Sequence, residues 1–161
     1  MTAKKSSAPA EPAREIVVSR LIEGPRTLVF EVYTRIEHLT HWWGPNGFTT
    51  TTHSFEFRVG GVWDFIMHGP DGVDYPNYIR WREITPPERI ELWHGERAED
   101  PDGFHAIVTF VERPGGTEVT LRNIFETKAR RDEVIERYGA IEGGNQTLGR
   151  LNDYVKARQA P

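Results

Sequence analysis

Between residues 128 and 158 apolar side chains return every three or four positions: Val134, Tyr138, Ile141, Leu148, Leu151 and Val155. Arg131, Glu136, Arg137, Glu142, Arg150 and Lys156 fill the opposite face, so one stripe of this helical region needs cover. Gly139 is placed to cap a first short helix, with a longer one starting at Ala140. Gly143 and Gly144 fall inside the second helix, where each costs roughly 1 kcal/mol relative to alanine. Either the helix bends there or something lies close against its backbone. Asn145 falls on the apolar stripe by spacing. The alternative is a surface-facing amide on a helix rotated after the two glycines.

Upstream the period is mostly two. Residues 15–21 are β-branched and short, a first strand. Pro25 then suits a first helical turn, with Leu28, Val29, Val32 and Tyr33 at helical spacing. A second short helix over 36–43 stops at Gly44-Pro45. Six further strands follow, over 49–57, 62–68, 75–84, 89–96, 104–113 and 117–125, separated by glycine- and proline-rich turns. In the second strand Thr51, His53, Phe55 and Phe57 share a face; in the third, Trp63, Phe65 and Met67 do. In the fourth, Tyr75, Asn77, Ile79 and Trp81 alternate against Tyr78, Arg80 and Arg82. Consecutive strands joined by short turns pair antiparallel, so the expectation is an α+β fold: a seven-stranded antiparallel sheet over a long last helix.

Length and composition narrow the classes. At 161 residues, with a small, polar, proline-rich stretch over 1–13 read as a disordered tail, the chain is one domain over 14–158. It has no cysteine, which fits a cytoplasmic protein and excludes thiolate chemistry. A net charge of −4 without a basic block argues against nucleic acid, and no apolar run is long enough for membrane insertion. Five Trp, eight Phe and five Tyr are many for so polar a chain, and suit a core or a ligand-lining wall.

Several turn motifs then occur in a telling order. Trp42-Trp43-Gly44-Pro45 is followed by Gly60-Gly61, by Gly69-Pro70-Asp71-Gly72 and by Pro86-Pro87-Glu88-Arg89-Ile90. Thr117-Glu118-Val119-Thr120-Leu121 and a late Gly-x-x-x-x-Leu-x-x-Leu from Gly143 to Leu151 complete the set. Over residues 15–156 the chain resembles the family related to the activator of the Hsp90 ATPase, within the START-like (helix-grip, Bet v 1-like) superfamily. The resemblance implies a curved sheet wrapped around the C-terminal helix, two short helices after the first strand, and a cavity between sheet and helix. It does not settle function, since the superfamily mixes binders, cyclases, dehydratases and lipid carriers. Many relatives carry Gly-Trp where this chain has Gly143-Gly144. Loss of that indole hints at an enlarged pocket; repacking by other side chains is the alternative.

The candidate ligand-binding wall is Trp42, Trp43, Phe55, Phe57, Trp63, Phe65, Met67, Trp81, Trp93 and Tyr138, with Tyr75 and Phe104 as further rings. For any one of these aromatics plain core is the favoured reading, and it is the set as a whole that points to a wall. His53, on the face of Phe55 and Phe57, is a candidate to enter the cavity, as are His94 and His105 on late strands. Such a histidine could act as a general base, or simply be satisfied by one neighbour. Asn145 could hydrogen-bond a ligand. His38 and His41, three apart on a short helix without a carboxylate partner, are weak metal ligands, so neither a metal site nor a cofactor is called for. No nucleophile elbow or hydrolytic triad order is present, and no catalytic residue is assigned. The expectation is non-catalytic binding of a small hydrophobic molecule by a monomer or homodimer. The alternatives are an enzyme on a hydrophobic substrate using a pocket histidine, and, last, a module acting on an Hsp90-type chaperone. That module is placed last because no companion N-terminal domain of the kind such activators carry is expected here.

Overall fold

Period-two alternation produces a single seven-stranded antiparallel sheet in which the first strand of the chain pairs with the last and the others follow in reverse chain order. The computed structural model describes residues 12–160. The strands are β1 (Glu15–Ile22), β2 (Thr49–Phe55), β3 (Val62–His68), β4 (Asp74–Thr85), β5 (Arg89–Gly95), β6 (Phe104–Arg113) and β7 (Gly116–Ile124). Helices α1 (Arg26–Thr34) and α2 (Ile36–Trp42) follow β1; α3 (Lys128–Tyr138) and α4 (Ala140–Gln159) end the chain. Most of the stretch expected to be a tail lies outside the described residues, and Pro12–Arg14 forms a 3-10 turn leading into β1. No described helix is long and apolar enough to cross a membrane.

Register decides which side chains face inward. Trp63 pairs with Ile79, Phe65 with Asn77, Met67 with Tyr75, Ile79 with His94 and Trp81 with Leu92. Directly paired residues share a face, so all of these belong to the inner one. α1, α2 and α4 cover part of it. There Val29, Val32, Tyr33, Leu39, Trp42, Trp63, Phe65, Trp81, Phe110, Leu148, Leu151 and Val155 form one buried cluster. Each such side chain contributes about 1.5–3 kcal/mol of burial free energy. Two of the three indoles in this cluster find acceptors for their N–H groups, and Trp81 Nε1 is buried without a partner among the described residues. Trp42 donates to the Val32 carbonyl (3.2 Å) and Trp63 to Thr52 Oγ1 (3.0 Å).

The C-terminal helices correct part of the sequence reading. Gly139, at φ 60° and ψ 45°, ends α3 in the left-handed conformation that glycine tolerates best. The break resets the helical phase. Tyr138 (52 % exposed) and Ile141 (45 %) therefore leave the buried stripe, and Asn145 faces solvent. The buried amide is Asn152 instead: its Oδ1 accepts from Glu23 N–H (2.8 Å) and its Nδ2 donates to Glu23 Oε2 (3.0 Å). Gly143-Gly144 opens no pocket. A Cβ on Gly144 would lie 3.0 Å from Val18 Cγ2, so the residue lets α4 press against β1. Arg150, assigned above to the polar face, reaches back to the carbonyls of Trp43 (3.1 Å), Gly44 (3.0 Å) and Pro45 (2.9 Å). It thereby fixes the loop after α2.

Candidate ligand cavity

The inner face of β3–β6 that α4 leaves uncovered is roofed by α3. Between them lies a cavity of about 440 Å³. β3 and β4 supply Met67, Tyr75, Pro76 and Asn77; β5 supplies His94 and Gly95. Phe104 and Phe125 close the far side, with ring centroids 4.9 Å apart. The loop held by Arg150 contributes Pro45 and Phe48. α3 contributes Val134, Arg130, Arg137 and Tyr138, and the β5–β6 loop contributes Asp100 and Asp102. The chamber is thus apolar inside and charged where the loop and α3 meet, in the size range of small-molecule sites.

One polar chain runs along its wall. Asn77 Nδ2 donates to the Tyr75 carbonyl (2.9 Å), which turns Oδ1 toward His94. His94 Nε2 lies 2.7 Å from that oxygen and therefore donates. In the neutral ring this leaves Nδ1 as an acceptor. Nδ1 makes no hydrogen bond to a described residue and is not one of the buried atoms that lack a partner, and His94 lines the chamber. Burial among Phe65 and Phe104, whose ring centroids lie 6.3 and 5.0 Å from the imidazole, pushes His94 down to about 4, against a weaker upward pull from Asp100. Burial tends to raise the Asp100 carboxyl. The backbone N–H groups of Glu96 and Asp102, with Arg97 and Arg130, overcome this and hold it below its usual range.

The sequence candidates are distributed unevenly around this chamber. Met67 and Tyr138 line it, as do Tyr75, Phe104 and His94. Trp42, Trp63, Phe65 and Trp81 are buried in the adjoining core, and Trp43 packs there against Trp63 (5.0 Å between centroids). Phe55 and Phe57 pack on Trp81 at 6.3 and 4.9 Å, outside the cavity. Trp93 pairs with Arg80 and lies on the outer face, against Gly95 and Gly103. His53 is solvent-exposed because a register shift between Thr52 and Ser54 breaks the alternation that would have turned it inward. His105 pairs with Trp93 and faces outward too. His38 is buried with Nδ1 2.8 Å from the Tyr154 hydroxyl.

A second polar constellation has the connectivity of a hydrolytic triad. Thr51 Oγ1 lies 2.8 Å from His68 Nε2, and His68 Nδ1 lies 2.7 Å from Asp74 Oδ1. It sits on the outer face of β2–β4, largely exposed, and none of the three lines the cavity. Nucleophilic catalysis also needs a substrate site and an oxyanion hole, so the arrangement alone does not make an active site.

The family model described as activator of Hsp90 ATPase homolog 1-like protein matches residues 23–156. The chain belongs to this family. Solved structures agree with the fold that membership implies. A protein from Nitrosomonas europaea superposes with a TM-score of 0.84 at 23% identity, covering 94% of this chain and 100% of that one. One from Mycobacterium smegmatis gives 0.82 at 23%, covering 92% and 94%. A protein titled as AHSA1-like, from Aeromonas hydrophila, gives 0.69 at 20%, covering 89% and 93%. At these identities the likeness shows the helix-grip fold alone. No functionally curated protein matches the chain in sequence.

Asn77, Phe48, Phe125, Val134 and Arg130 were missing from the sequence candidates. The alternation in β4 already placed Asn77 beside Ile79 and Trp81, and a polar residue in such a row is a usable signal. The α3 residues carry no comparable signal, because their role depends on which part of the sheet the helix covers.

Proposed function

We propose that this protein binds a small hydrophobic ligand, without transforming it, in the chamber between α3 and the inner face of β3–β6. The observation that carries this is a cavity of about 440 Å³ with an apolar interior and one oriented polar pair, His94–Asn77. Proton abstraction is the weaker reading of the same pair. A histidine held near pKa 4 is a poor general base at neutral pH, while as a hydrogen-bonding group it is in the right form throughout that range.

A thermal-shift screen of small aromatic and alicyclic compounds tests the reading. A ligand at 100 times its Kd stabilises by about 2.7 kcal/mol. In a domain of this size that raises Tm by roughly 5–10 °C. A broad panel that leaves Tm unchanged, with no co-purified small molecule in native mass spectra, would remove the proposal.

A further inference from the structure

Much of the cavity wall is apolar, with its charged side chains gathered where α3 meets the β5–β6 loop. His94 is the polar group set among the rings of Phe65 and Phe104. Its Nε2–H is committed to Asn77, whose amide is itself oriented by the Tyr75 carbonyl, so the ring is held in one tautomer. Nδ1 then presents an unprotonated lone pair to the chamber, unpaired by any described residue. In an apolar surround, a ligand that supplies a donor to this lone pair gains affinity and orientation.

We propose that His94 Nδ1 is the recognition acceptor of the cavity, and that its ligand is an aromatic or alicyclic molecule bearing a hydroxyl or N–H donor, a phenol in the simplest case. The inference rests on the ligand-binding reading above and specifies it. Acceptor-only molecules such as ethers and ketones would set lone pair against lone pair. A carboxylate would do so as an anion, and Glu96, Asp100 and Asp102 on the same cavity wall add repulsion to it. Arg130 spends Nη1 on Glu133 (2.9 Å) and its Nε is buried without an acceptor among the described residues, so the preference for a donor is set at His94 and not at Arg130.

Calorimetric titration of the full chain with 2-naphthol and with 2-methoxynaphthalene separates the two levels of the claim. The probes share a ring system and differ in the donor. The wild type is expected to bind naphthol about 10-fold tighter, the effect of one buried hydrogen bond. His94→Phe keeps an aromatic ring in the wall and is expected to bind both probes alike. In 15N spectra of the wild type, the Nδ1 resonance of His94 should move with naphthol and stay put with the ether. Equal wild-type affinities with an unmoved Nδ1 resonance would overturn the role of His94 and leave the cavity reading standing. Binding of neither probe would overturn both. The wild-type comparison decides the matter even if the variant fails to fold.

Discussion

A neutral histidine packed into an apolar wall couples the fold to pH. The folded value for His94, about 4, lies below the ordinary 6.5. Between those values the unfolded chain binds a proton that the folded chain refuses, so stability falls as pH drops through this window and is unaffected above it. The full effect is on the order of 3 kcal/mol. Denaturant titrations of wild type and His94→Phe at pH 7 and pH 4.5 isolate it from the carboxylates, which both proteins share. The wild type should lose more stability on acidification than the variant; equal losses would mean that the ring is charged in the fold. At this scale the sequence was informative where alternation is regular. It placed Asn77 inward with Ile79 and Trp81, as found. It failed at His53, where one extra residue in β2 turns the side chain outward, and nothing in the local pattern announces such a shift.

Among the elements, the two C-terminal helices do different work. α4 is pressed onto β1 and buries Leu148, Leu151, Asn152 and Val155. α3 buries only Val134 and is otherwise charged, as suits a roof over a chamber rather than a core element. The glycines of α4 report on this contact. Gly149 has open space where a Cβ would sit, whereas Gly144 would place one 3.0 Å from Val18. Gly149→Ala should therefore stabilise by up to about 1 kcal/mol, through helix propensity. Gly144→Ala should gain less or destabilise, because Val18 must yield. Thermal melts showing equal gains for both would contradict the close approach of α4 to β1. The break at Gly139 was legible, since glycine between two helical patterns is a cap signal. The change of phase across it was not. A single stripe drawn through both helices put Tyr138, Ile141 and Asn145 on the buried side. It also left Arg150 on the polar side, although it is Arg150 that holds the Trp43–Pro45 backbone.

For the molecule as a whole, the order of turns and strands was enough to anticipate the seven-stranded sheet, the two early helices and the family. The position of the chamber was not. Seen along the chain, the indoles look like a ligand wall. In the fold Trp42, Trp43, Trp63 and Trp81 belong to the core, with Trp42 and Trp63 almost completely buried, and Trp93 lies on the outer face. The open volume lies beside Met67, Asn77, His94 and Phe104, on a part of the inner face that the long helix leaves uncovered. Which part it covers depends on contacts such as Val18 with Gly144 and Glu23 with Asn152, more than a hundred residues apart in sequence. The most direct test of the account is a two-dimensional NMR titration of the 15N- and methyl-labelled protein with 2-naphthol. Saturable shifts are predicted at Met67, Asn77, His94, Phe104 and Val134, with Trp42, Trp81 and Val155 unmoved. Shifts centred instead on Trp42 and Gly144, or no saturable shifts for this or any other small aromatic donor, would contradict it.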